Sequence, residues 1–93
     1  MYNQLMDIEF DPVKNKANIR KHGISFADID EVFYDQYAIT IEDYDHKEQR
    51  FVTLGMDGFG RLLVICYTYR DEITIRLISA RKAESHERKA YEG

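Results

Sequence analysis

Cysteine and proline are nearly absent from this 93-residue sequence, with one of each, and tryptophan is missing. A lone Cys66 excludes an internal disulfide and any paired-cysteine metal or redox motif. It sits in the apolar run Leu62 to Tyr67 with no charged neighbour within two positions. That is the setting of a small buried hydrophobe, not of a reactive thiolate. The same run is the longest apolar stretch, and it is far too short to cross a bilayer. Residues Met1 to Asp7 have neither the basic region nor the apolar segment of a secretory leader, so a cytoplasmic protein without membrane contact is expected. Repeats, low-complexity tracts and Pro/Gly-rich linkers are lacking as well. The expectation is one domain over residues 1–93, with 1–7 as a short N-terminal extension. There is no surplus of positive charge either, since the net charge is −4. That argues against simple nonspecific binding to nucleic acid.

What is present is a globular composition, 44% hydrophobic and 32% charged. The charge is segregated. Lys14, Lys16, Arg20 and Lys21 share an acid-free stretch, residues 24–49 hold eight acids and one lysine, and residues 50–93 hold eight bases and six acids. Such segregation either makes a local basic surface on an acidic protein or marks ordinary solvated faces.

Ile8-Glu9-Phe10 alternates as a short strand does. Asp11-Pro12 starts a helix, with Asp as the cap and Pro at the first helical position, and Gly23 ends it. Val13, Ala17 and Ile19 form its thin apolar stripe. Ser25 caps a second helix whose Phe26, Ile29, Val32 and Phe33 are core candidates. Strands follow over 38–41, 50–56, 61–70 and 73–79, with a glycine-bearing turn at 57–60 and a two-residue turn at Asp71-Glu72. A charged helix over 83–91 closes the chain. The order β-α-α-β-β-β-β-α predicts an α+β fold: an antiparallel β-meander with helices on one side and the N-terminal strand at an edge.

No Gly-rich phosphate loop or His-x-x-x-His pair occurs, and His22, His46 and His86 lack metal-ligand spacing. No metal or other cofactor is expected. Metal-free RNA cleavage needs a base for the 2′-hydroxyl proton, a cation for the pentacoordinate phosphate and an acid for the leaving oxygen. Two clusters carry suitable groups. Arg20-Lys21-His22-Gly23 is either such a site or a cationic helix end, which the helix dipole favours. In the last hairpin a two-residue turn would pair Tyr67 with Arg76, placing Arg61, Tyr67, Tyr69 and Arg76 on one face. That face would stack bases and hold phosphate. The other face, with Val64, Cys66, Ile73, Ile75 and Leu77, would be core. A slip of one residue inverts the assignment. Arg81 and Lys82 follow the last strand and could join the same surface. The seven tyrosines fit a protein interface equally well.

The sequence resembles the BrnT toxin family. The matching residues are Phe10-Asp11-Pro12-x-Lys14, Asn18-x-x-Lys21-His22-Gly23-Ile24-Ser25-Phe26, Asp43-x-Asp45-His46, Glu48-x-Arg50-Phe51 and Gly55. They continue with Gly60-Arg61-Leu62-Leu63, Tyr67-Thr68-x-Arg70, Ile75-Arg76-Leu77-Ile78-Ser79-Ala80-Arg81-Lys82-Ala83, Glu87-Arg88 and Tyr91. Phe10 stands where the family usually has tryptophan. The resemblance implies a RelE-like ribonuclease toxin that needs no metal and shuts down translation. It also implies neutralisation by a BrnA-like antitoxin with a ribbon-helix-helix domain, operator DNA being met only through that antitoxin. Carried onto this chain, it makes Lys21, His22, Arg61, Arg76 and Arg81 the catalytic candidates, with Tyr67, Tyr69 and Lys82 as substrate-binding residues. Glu48 and Tyr91 are further candidates. The alternative is a non-catalytic homologue acting as an antitoxin-binding co-repressor or an RNA-binding module. The acidic stretch over 24–49 would repel nonspecific RNA or face basic parts of the antitoxin.

Overall fold

Two local signals in the first third of the chain are realised where the residue types put them. The computed structural model describes residues 6–44 and 47–93; Met1 to Leu5 of the expected extension, and Asp45-His46 of the quoted pattern, lie outside the described residues. Strand β1 (Asp7–Glu9) leads into helix α1 (Pro12–His22). The Asp11 carboxylate accepts the Val13 N–H at 2.9 Å, and Pro12 occupies the first turn. Gly23 takes φ +73° and donates its N–H to the Ile19 carbonyl, a left-handed terminus that a Cβ would strain.

The predicted second helix is instead two 3₁₀ segments, Phe26–Asp28 and Asp30–Tyr34, separated by Ile29 at φ −111°. Phe26, Ile29 and Val32 are each at most 1% exposed. They recur every third residue, which is the repeat of a 3₁₀ helix and not of an α-helix. Strands β2 (Ile39–Asp43), β3 (Arg50–Met56), β4 (Leu62–Tyr69) and β5 (Thr74–Lys82) follow, then helix α2 (Ser85–Glu92).

The sheet order is β1-β5-β4-β3-β2. The meander is antiparallel as expected, and β1 lies at an edge, but it pairs with β5 in parallel through Asp7↔Thr74 to Glu9↔Arg76. The sheet is therefore mixed. Nor are the helices collected on one side. One face, with Leu63, Ile65, Tyr67, Ile75, Leu77 and Ala80, is covered by Ile24, Phe26, Ile29 and Val32. The other, with Leu54, Leu62 and Val64, is covered by Tyr91 of α2 and by Ala83. Full burial of a side chain such as Phe26 or Ile65 contributes about 1.5–3 kcal/mol, so the first face dominates the core. Its closest approach is at Gly55, where an added Cβ would sit 3.0 Å from Val32 Cγ1 and 3.1 Å from the Val32 carbonyl. No helix of the described residues is long and apolar enough to cross a membrane.

Register in the last hairpin departs from the two-residue turn. Arg70 N–H bonds to the Thr74 carbonyl, and Asp71 caps the loop by accepting the Ile73 and Thr74 N–H groups at 3.0 and 2.8 Å. Tyr69 therefore faces Ile75 and Thr68 faces Arg76; a bulge between Cys66 and Tyr67 then sets Cys66 opposite Ser79. The slip moves Tyr67 from the expected solvent face to the core.

Candidate functional site

Helix α1 inverts its own apolar pattern. Val13 is 73% and Ile19 43% exposed, while Asn18 is buried. The cause is the short β1: it covers β5 only as far as Arg76. Beyond that point β5 has an open edge with backbone groups that need partners. Asn18 supplies them. Its Nδ2 donates to the Ala80 and Ile24 carbonyls, both at 2.8 Å, and its Oδ1 accepts the Ala80 N–H at 3.1 Å. A side-chain amide here mimics a strand's peptide group. Asn15 and Ser25 join the same turn, Asn15 Oδ1 accepting the Phe26 N–H at 2.7 Å.

The residues that share Asn18's side of α1 are Lys14, Ala17, Lys21 and His22, at helical spacings of three and four. Together with Ile78 and Ser79 of β5 they line a groove of about 270 Å³. No acid lines it. Lys14, Lys21 and His22 make no ion pair among the described residues. Lys14 also borders a second cleft, of about 470 Å³, lined by Glu9, Phe10, Asp11, Arg76 and Leu77. Sharing Lys14, the two clefts form one track along the α1 side of β5, with Lys14, Lys21, His22 and Arg76 beside the acids Glu9 and Asp11.

The five catalytic candidates do not converge. Lys21 and His22 lie together in the groove, and Arg76 lies in the cleft next to it. Arg61 and Arg81 line neither cleft, and Arg81 is turned to Glu87 of α2 although it follows Ala80, which Asn18 of α1 holds. Arg81 faces Val64 while Arg76 faces Thr68, so about 13 Å of strand separates them at 3.3 Å per residue. Arg61, before the first residue of β4, is about 23 Å of strand from the Arg76 position.

Both distant arginines are held by carboxylates. Arg61 Nε donates to Asp57 Oδ2 at 2.7 Å, and its guanidinium lies 5.2 Å from the Phe59 ring centre. Burial raises the Asp57 pKa, but the Arg61 backbone and side chain and the Phe59 N–H outweigh it and hold the carboxyl below its usual value. Arg81 forms a two-pronged pair with Glu87 at 2.9 and 2.8 Å. That bond draws the Glu87 pKa down to about 2, and the Glu84 N–H also donates to the same carboxylate. Glu84, His86 and Glu87 come within 4.8 Å of one another, but both Glu87 oxygens are taken by Arg81.

The expected aromatic–cationic face does not form. Tyr67 is 3% exposed, stacks near Phe51, meets Phe33 edge-on, and ends in a hydroxyl chain Tyr67–Thr53–Thr40 at 2.8 Å each. Burial raises its pKa. Tyr69 is the exposed end of the same aromatic row, on the core face and not on that of Arg76. Lys82, opposite Leu63, lies at the end of β5 beyond the groove. Glu48 pairs with Arg50 at 3.2 Å, and Tyr91 donates to Asp35 at 2.6 Å, which raises the Tyr91 pKa to about 12.

Sequence reasoning did not single out Lys14 and Glu9, which line these clefts, or Arg70, which donates to Glu9 at 2.7 Å. The signal for Lys14 was its spacing from Asn18 and Lys21, a polar stripe on a helix read only for its apolar residues.

A family model described as "Ribonuclease toxin, BrnT, of type II toxin-antitoxin system" matches residues 10–87. The crystal structure of the Brucella abortus ribonuclease toxin BrnT is similar to this chain with a TM-score of 0.69 and 25% identity. The similarity covers 86% of this chain and 99% of that one. No curated protein matches.

Proposed function

The chain belongs to the BrnT family of ribonuclease toxins of type II toxin–antitoxin systems, and on that premise we propose that it cleaves RNA without a metal ion in the groove between α1 and β5. The observation that carries this reading is the trio Lys14, Lys21 and His22, without an ion-pair partner among the described residues of an acidic chain, in a groove that no described carboxylate lines. His22 serves as base, taking the 2′-hydroxyl proton while water protonates the departing 5′-oxygen, or as acid, supplying that proton while water takes the first. The 2′-oxygen then attacks phosphorus and the P–O5′ bond breaks, leaving a 2′,3′-cyclic phosphate and a 5′-hydroxyl. Lys21 and Lys14 offset the charge that accumulates on the phosphoryl oxygens. Arg76 belongs to the same track through Lys14. Arg61 and Arg81 stay in their carboxylate pairs and hold the fold.

The finer features of the family reading are part of this proposal. They are a RelE-like ancestry of the fold, growth arrest through loss of translation, a cytoplasmic site of action, and neutralisation by a BrnA-like ribbon-helix-helix antitoxin that alone touches operator DNA. The test is RNA incubated with purified protein in excess chelator. Fragments ending in a 2′,3′-cyclic phosphate are expected, and their loss on chelation contradicts the mechanism. Expression without a partner should arrest growth, and His22→Ala with Arg76→Ala should relieve it. A wild-type chain that accumulates harmlessly would favour a non-catalytic co-repressor instead.

A further inference from the structure

We propose that the cleft between β1 and the start of α1 is a second phosphate subsite, which holds a phosphate flanking the one cleaved, and that Glu9 occupies it until RNA displaces it. The proposal rests on the ribonuclease reading for the identity of its ligand. Its geometry is separate. Arg70 Nη1, from the turn that follows β4, and Arg76 Nε, from β5, both donate to the single oxygen Glu9 Oε1, at 2.7 and 3.2 Å. Two guanidinium groups aimed at one anionic oxygen form a site for a phosphoryl oxygen, and the carboxylate stands where that oxygen would be.

Three features favour exchange over a permanent bridge. Glu9, Arg70 and Arg76 are 40%, 51% and 48% exposed at the side chain. Ion pairs so open to water contribute little to stability, so releasing Glu9 to solvent costs little. The adjoining space of about 470 Å³ is in the size range of a small-molecule pocket and admits a nucleotide. Lys14, which lines both this cleft and the His22 groove, makes the two sites continuous along one strand of RNA. Asp11, the other acid of the cleft, is already engaged, since it caps α1 at the Val13 N–H. The locked pair Arg81–Glu87 shows the contrast: there the carboxylate is 19% exposed and takes the arginine with both oxygens.

The experiment uses a fluorescein-labelled single-stranded 2′-deoxy dodecanucleotide, which has no 2′-hydroxyl and is not cleaved. Its affinity for the full chain is read by anisotropy across a sodium chloride series. Arg70→Gln should weaken binding about fivefold and flatten the slope of log K against log salt by about 0.7, the loss of one phosphate contact on a single strand. Glu9→Gln should tighten binding about threefold or more, because the competing carboxylate is gone. Wild-type affinity and slope in Arg70→Gln, or unchanged or weaker binding in a folded Glu9→Gln, overturns the subsite. Arg70 lies in an exposed turn, so its variant decides the matter if Glu9→Gln does not fold. Probe binding with these responses but without RNA cleavage by the wild type overturns the catalytic reading and leaves the subsite standing. Cleavage with neither response does the reverse.

Discussion

The two cationic regions along β5 use similar residues to opposite ends. Near α2, Arg61 and Arg81 meet carboxylates that are 0% and 19% exposed, and each has its geometry fixed. Near α1, Lys14, Lys21 and His22 face an open groove without an ion-pair partner among the described residues, and Arg76 shares one half-exposed carboxylate with Arg70. Burial of the partner decides the difference. A desolvated carboxylate loses much when its arginine leaves, so the pair holds the structure together. A solvated cation loses little by changing partners, so it is available to phosphate.

Substitutions that separate activity from stability sharpen this contrast. The largest effect is expected for His22→Ala: a fall of about 10²–10³ in kcat/KM for RNA, with chemical denaturation shifted by no more than about 0.5 kcal/mol. Equal losses in both would make His22 a structural residue. Asn18→Ala should cost about 2–4 kcal/mol in urea unfolding, because it leaves the Ala80 N–H and two carbonyls without their buried partner. A near-neutral result would mean that water closes the edge of β5 equally well. Gly55→Ala should destabilise by about 1–3 kcal/mol through the clash with Val32, seen as a lower melting temperature. Arg81→Gln should cost about 1–2 kcal/mol at neutral pH. The Glu87 carboxyl titrates at about 2 in the folded chain against an ordinary 4.5. Its stabilisation is therefore complete above about pH 4.5 and fades as the pH falls toward 2. Melting curves of wild type and Arg81→Gln should converge over that window, and a constant gap would rule out the ion pair as the cause.

Much of the frame was legible from local chemistry. Asp11-Pro12 and Gly23 bracket α1, and the β-branched and aromatic runs mark the four strands of the meander. What failed was whatever depended on long-range pairing. Asp71 caps a longer turn than Asp71-Glu72 alone suggests, and the bulge at Cys66/Tyr67 shifts the register again. One residue of slip was enough to carry Tyr67 into the core and to dissolve the expected aromatic–cationic face. The exposure of Val13 and Ile19 has the same origin. Whether α1 turns its apolar or its polar side inward depends on how far β1 covers β5, and that distance is not written in the helix. The spacing of three in Phe26, Ile29 and Val32 was visible, and it distinguishes 3₁₀ from α geometry. For the proposed site, Lys21 and His22 were singled out by residue type, and they line one groove. Arg61 and Arg81 were grouped with Arg76 because the sequence does not show that Asp57 and Glu87 engage them.

The division of labour between the two regions can be tested with two double variants. Cleavage of RNA in excess chelator is measured for Lys21→Ala/His22→Ala and for Arg61→Gln/Arg81→Gln, each at a temperature where circular dichroism shows it folded. The α1 pair should lose at least about 100-fold in kcat/KM, while the α2-side pair keeps cleaving and loses chiefly melting temperature. Full activity in the first and none in the second would place the chemistry at Arg61 and Arg81 instead.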